Sequence, residues 1–154
     1  MNVIYTLMVF PFQNQYGCTI RLKKAKAKLK ELTSRLSVRN VRVVMQNVKV
    51  YIRDWLGYFG IGSIKTTMQR WDEWLRRRFR CYIWKQWKLP RTRVKNLVNL
   101  EMPQWQAYRN GNSRNGYWAI AGSGILKTTI TNERLVQARY YSILDQYESL
   151  HLCD

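Results

Sequence analysis

Three successive segments of this chain carry apolar residues at helical spacing, and this constrains the fold more than any other feature of the sequence. Over 38–59 the series Val41, Val44, Val48, Tyr51, Ile52, Trp55 and Phe59 keeps to one face, with Arg42, Gln46, Lys49 and Arg53 opposite. Over 63–88 the stripe is Met68, Trp71, Leu75, Phe79 and Tyr82, and Arg70, Arg77, Arg80, Trp84 and Lys88 fall on the other side. Over 21–36, Ala25, Leu29, Leu32 and Leu36 align, while Lys24, Lys26, Lys28, Lys30 and Arg35 spread over the rest. An apolar stripe is stable only against another element. The three helices are therefore expected to share a core that includes Leu32, Val48, Ile52, Trp55, Trp71, Leu75 and Phe79.

Local signals place the ends of these helices. Ser37 can cap the second helix. Gly60-Ile61-Gly62 is expected to stop it in the left-handed conformation that glycine tolerates. Leu89-Pro90 ends the third. Beyond Pro90 the pattern weakens into short helical pieces at 92–100, 103–109, 117–121, 125–130, 132–138 (capped by Asn132) and 142–150, with a loop at 110–116. Val94, Leu97 and Val98 are expected to point inward from the first of these pieces. The class is all-α: a three-helix bundle at 21–90, then a small, irregular helical C-terminal segment at 91–154. Residues 1–20 form a separate opening segment. Its apolar start lacks a basic region and a cleavage site, so it does not read as a secretory signal, and it is too short to span a bilayer.

Charge narrows the partner. The 154 residues carry a formal net charge of +18, far beyond what folding requires, and such a surface faces a polyanion. Residues 21–93 hold 21 Lys/Arg against 4 Asp/Glu, whereas 94–154 hold 6 against 5. The polyanion surface therefore belongs to the middle of the chain.

The residues needed for catalysis are not arranged for it. No two carboxylates form an Asp-Asp pair, and the adjacent Asp72 and Glu73 point about 100° apart on a helix, so both read as surface residues. No nucleotide-loop, nucleophile-elbow or zinc-helix motif occurs. Cys18, Cys81 and Cys153 are widely spaced, and His151 is the single histidine, so neither a zinc site nor any other cofactor is expected. Cys81 reads as a buried thiol and His151 as exposed.

The strongest functional signal is the stretch 76–88, with Arg76, Arg77, Arg78 and Arg80 followed by Trp84, Lys85, Trp87 and Lys88. Guanidinium groups bind phosphates bidentately, and exposed rings stack on unpaired bases. Trp71 and Trp74 belong to the apolar arc. Trp84 lies off it, and two readings stay open: a stacking platform, or a ring packed under the C-terminal segment against Trp105 or Trp118.

Several motifs, in order, resemble one family. Leu29-Lys30-Glu31-Leu32-Thr33-Ser34-Arg35 resembles the opening of the maturase-specific region of group II intron reverse transcriptase/maturases. Ile52-Arg53-Asp54-Trp55-Leu56-Gly57-Tyr58-Phe59 is similar to its next signature, with Asp54 where glycine usually stands. Trp71-Asp72-Glu73-Trp74-Leu75-Arg76-Arg77-Arg78 and Trp84-Lys85-Gln86-Trp87-Lys88 resemble a bacterial stretch of the family. So do Asn112-Ser113-Arg114-Asn115-Gly116-Tyr117-Trp118 and Thr131-Asn132-Glu133-Arg134-Leu135. Tyr140-Tyr141-Ser142-Ile143 fits a last motif, with Arg139 in place of its glycine.

The resemblance implies an RNA-binding, thumb-like bundle followed by a C-terminal extension. The function it implies is to help intron splicing and mobility, in the bacterial cytoplasm, without the polymerase's own aspartates. Its implied partners are structured group II intron RNA, target DNA and a separately encoded reverse transcriptase domain, with no membrane. The basic faces then supply the RNA-binding residues: Arg42, Lys49, Arg53, Arg70, Arg76, Arg77, Arg80, Trp84, Lys85, Lys88, Arg91 and Arg93. Two other readings stay open, one part of a split or frameshifted RNA-directed DNA polymerase and a remnant of a decayed gene.

Overall fold

The structure, a computed structural model, describes residues 15–34, 39–60 and 63–151. Among these residues the chain is helical without strands, so the class is all-α. Three long helices, α1 (Gln15–Leu32), α2 (Val41–Phe59) and α3 (Lys65–Gln86), correspond to the three amphipathic segments. Six short ones follow: α4 (Pro90–Asn99), α5 (Gln104–Gly111), α6 (Tyr117–Ala121), α7 (Gly124–Thr129), α8 (Asn132–Gln137) and α9 (Ile143–His151).

The helix ends show how local chemistry sets the bounds. Asn40 caps α2 by accepting the Arg42 N–H at 2.9 Å. The proposed Ser37 cap, the last residues of the first expected helix, and Ile61 with Gly62 lie outside the described residues. Gly60 does end α2, but with φ −71° rather than left-handed. Glycine is needed there because a Cβ would stand 2.5 Å from the Leu56 carbonyl oxygen. Thr131, not Asn132, caps α8 by accepting from the Arg134 N–H at 3.3 Å.

The expected core forms. Val48, Ile52, Trp71, Leu75 and Phe79 are buried, and Leu32 and Trp55 pack half-buried at its rim. On α4, Leu97 is buried, but Val98 is exposed, contrary to the inward reading. Cys81 is buried.

The core is also larger than three stripes. α3 packs against α2 on one side and against α6 and α9 on another, and one contiguous cluster runs on through Leu97, Ala107, Ile120, Leu126, Leu135 and Ile143. The second face of α3 is therefore interior. Asp72, read from sequence as a surface residue, is only 1% exposed, whereas its neighbour Glu73 is exposed.

Asp72 is stable there because its donors come to it. Tyr140 donates its hydroxyl to Oδ1 at 2.7 Å, the Ile143 backbone N–H donates to the same oxygen at 2.9 Å, and Arg76 pairs with Oδ2. Midway along α9, one turn on, Tyr147 accepts the Ile64 N–H at 3.2 Å, just before α3 begins. Two bonds therefore seat α9 along α3.

Two residues take left-handed backbone, Glu101 (φ 68°) and Arg139 (φ 73°). Each follows a helix end closed by a paired bond. Glu101 N–H donates to Val98 O and Met102 N–H to Leu97 O; Arg139 N–H donates to Val136 O and Tyr140 N–H to Leu135 O. Arg139 stands where the resembling motif has glycine, and the turn it makes delivers Tyr140 to Asp72. No described helix is long and apolar enough to cross a membrane.

Asp72→Ala leaves Arg76 and two buried donors unpaired and should cost ~3–5 kcal/mol by chemical denaturation, with Tyr140→Phe costing about 1–3 kcal/mol. Burial, then the nearby Asp72 carboxylate, pushes Tyr140 well above the ordinary tyrosine range. The unfolded chain thus loses this proton first, and stability should fall as pH rises past about 10. A wild-type-like Asp72→Ala would show that α9 does not depend on this carboxylate. Arg139→Gly should raise stability by up to about 1 kcal/mol, because glycine avoids the left-handed penalty at a smaller entropic cost. Arg139→Val should lower the Tm, and the reverse order would overturn this account of the turn.

Candidate nucleic-acid interface

The arginine run of α3 was expected to form one solvated basic face, but the structure distributes its members. Arg76 pairs with Asp72. Arg77 donates Nε and Nη2 to the Trp118 carbonyl at 3.3 and 2.8 Å and lies 4.1 Å from that ring's centroid. Arg78 reaches the end of α1, donating to Lys30 O at 2.9 Å and Thr33 O at 3.0 Å. Arg80 donates to Ile130 O at 2.8 Å and Asn132 Oδ1 at 2.9 Å.

Two expectations need correction. Arg80, read as exposed, is only 6% exposed, because the junction of α7 and α8 closes over it and offers two acceptors. Trp84, placed among the RNA-binding residues, is 1% exposed and presents no ring face to a base. Its neighbours are Trp87, with centroids 5.9 Å apart, and Arg93, 4.9 Å over the ring. They are not Trp105, which is 65% exposed, or Trp118, which lies against Arg77.

The other candidates scatter. Arg42 and Arg53 are exposed on α2, Arg53 beside Asp54, and Lys49 lies over the Tyr141 ring at 5.2 Å. Asp54 is itself exposed, so the missing family glycine costs no close helix contact there. Lys85 is half-buried, Lys88 and Arg91 are exposed, and Arg93 donates to Trp87 O at 2.8 Å.

Arg70, Arg76, Arg77 and Arg80 do come together. With Lys127 they line a groove of about 740 Å³ between α3 and the α6–α8 segment, against two carboxylates, Glu73 and Glu133. A second groove of about 420 Å³ adjoins it, lined by Lys23, Lys26 and Lys30 of α1 and by Arg78, with no carboxylate. Trp74 and Trp118 line both. Lys26 and Arg78 lie over the Trp74 ring at 5.4 and 5.0 Å.

Five cationic side chains against two carboxylates line the larger groove. Burial, then repulsion from Arg76, pulls the Arg80 pKa down. Glu133 is held below its usual value by hydrogen bonds from its own backbone and Thr131.

Sequence reasoning left Lys23, Lys26, Lys30, Lys127, Trp74 and Trp118 out of the interface. The three lysines had a signal in their i, i+3, i+7 spacing along α1, which puts them on one face. Lys127 and Trp118 had none, because their place depends on how the C-terminal segment docks.

A family model described as the group II intron, maturase-specific domain matches residues 22–100, just over half of the chain. No curated protein matches it. The matched region includes α3 and the part of α1 from residue 22 on, while Trp118, Gly122 and Lys127 lie beyond it.

The burial pattern separates structural from surface residues. Trp84→Ala should cost ~3–5 kcal/mol of stability, and Arg80→Ala about 1–3 kcal/mol through its carbonyl bonds. Lys88→Ala should leave the Tm unchanged. Thermal and urea unfolding check all three, and a neutral Trp84→Ala would place that ring at the surface after all.

Proposed function

The chain belongs to the group II intron maturase-specific domain family, and on that premise we propose that it is an RNA-binding maturase fragment of an intron-encoded protein. It holds structured intron RNA to assist splicing and mobility. The observation that carries this reading is the pair of adjoining cationic grooves that share Trp74 and Trp118.

Phosphate contacts supply most of such affinity, because each neutralised phosphate releases condensed counterions. The α1 lysines are exposed point charges suited to a backbone whose path varies. Arg76, Arg77, Arg78 and Arg80 of α3 are held by their own hydrogen bonds and suit a particular geometry. Folded RNA is recognised by shape and by phosphate and 2′-hydroxyl contacts, which a two-groove surface can follow.

Residues 21–90 act in this reading as the thumb-like bundle, and 91–154 as an extension that completes the larger groove. The maturase-specific domain is not a catalytic polymerase domain, and the chain itself performs no nucleotide transfer. Asp72 is committed to the core, while Glu73 and Glu133 line the groove among arginines. Target DNA and a separately encoded reverse transcriptase domain complete the proposed partners, and the cytoplasm is where the intron transcript is met.

The test is a salt-titrated binding assay with the purified chain, its neighbouring intron RNA and an unrelated RNA of equal length. The intron RNA should bind more tightly. Replacing Lys23, Lys26 and Lys30 together by Ala should flatten the slope of log affinity on log salt by about 2–3, near 0.7–0.9 for each phosphate contact. Equal affinity for both RNAs would remove the intron-specific reading. Primer extension with Mg²⁺ or Mn²⁺ should be absent, and extension by clean protein would show that the chain is itself a polymerase.

A further inference from the structure

Arg77 is held differently from the other arginines of its run. Arg80 is buried and committed to two acceptors, which makes it a clamp. Arg77 stays at the groove surface, with its guanidinium carbon 4.1 Å from the centroid of the Trp118 ring, itself 38% exposed. Nε and Nη2 bond to the Trp118 carbonyl, and Nη1 takes part in neither bond.

On the α6–α7 turn, the space a Cβ would fill at Gly122 is taken by the same guanidinium, 2.6 Å from its Cζ and Nη2 and 2.8 Å from Nε. Docking α6 by a carbonyl bond alone needs neither a ring under the arginine nor a missing side chain beside it. Together they fix the plane of a guanidinium at the edge of a groove that Arg70 and Lys127 also line. A fixed plane favours bidentate phosphate binding, since less freedom is lost on contact.

We infer that Arg77 binds a backbone phosphodiester of RNA in this groove, with Trp118 and Gly122 as its positioning residues and Lys127 as a second cation. The inference rests on the RNA-binding reading above and names one of its contacts. Gly122 then serves the ligand rather than the fold.

Binding by the full chain is measured across a salt series, using one RNA with a 5′-hydroxyl and the same RNA with a 5′-monophosphate, alongside Tm. Gly122→Ala and Arg77→Ala should each weaken binding by about tenfold. Each should also flatten the salt slope by about 0.7–0.9, equally for both RNAs. The double variant should bind no worse than Arg77→Ala, because the added methyl acts through the arginine.

Arg77→Lys covers the case in which Gly122→Ala does not fold. It should keep the slope and lose affinity severalfold, because the charge remains and the planar fork does not. Wild-type binding by Gly122→Ala or Arg77→Lys, losses that multiply in the double variant, or an effect confined to the 5′-phosphorylated RNA would each overturn the assignment. A wild-type chain that binds no RNA at any salt would instead remove the RNA reading on which it rests.

Discussion

The seating of α9 on α3 turns on one buried carboxylate. A charge in the interior costs several kcal/mol unless it is paired and its lone pairs are occupied, and Asp72 meets both conditions with Arg76, Tyr140 and the Ile143 N–H. The last two donors come from the far end of the chain. The Oδ1 lone pairs of Asp72 are occupied only where α9 docks, and the chain reaches α9 through a turn that puts Arg139 in left-handed backbone. The tight turn, the carboxylate and the docked helix form one coupled unit.

Among the described residues, nine helices, six of them short, leave many carbonyls at helix C-termini without intrahelical partners. The basic side chains take up several of these. Arg78 reaches Lys30 O and Thr33 O at the end of α1, Arg93 reaches Trp87 O after α3, and Arg134 donates to Leu100 O after α4 and Thr129 O of α7. Arg80 reaches Ile130 O after α7. A cation suits these positions twice over, as hydrogen-bond donor and as countercharge to the helix dipole. The net charge of +18 therefore overstates the surface offered to a polyanion, because part of it closes helices.

This explains which parts of the molecule were legible in the sequence. Val44, Val48, Ile52, Leu75 and Phe79 declare themselves by period, since one apolar face needs no knowledge of its partner. The opposite face of α3 gives no such mark. Trp84 and Arg80 lie off the apolar arc, and no local pattern announces that Arg93 closes over the one and the α7–α8 junction over the other. Asp72 misled for the same reason, because its donors at Tyr140 and Ile143 are about seventy residues away and are set by tertiary docking alone. Arg139 was half legible: the motif marked a glycine position, and glycine positions mark backbone geometry. The α1 lysines were visible as a face without an assignment, whereas Trp118 and Lys127 had neither.

The interface and the fold are consequently not separable. The α1 lysines stand on a helix whose end is tied to α3 by Arg78, and the opposite wall of the larger groove reaches α3 through Arg77 and Arg80. The side chains that hold these walls together are the ones that give the groove floor its potential. Fixed arginines keep their geometry in the absence of ligand, so they add shape to recognition without reorganising. Exposed lysines keep their rotamer freedom, so they add attraction that bends to the ligand and is easily screened. On the proposed RNA-binding reading, a surface built this way separates capture from fit: the α1 lysines would draw in an RNA backbone at low salt, and the α3 arginines would accept only the path that meets their fixed planes.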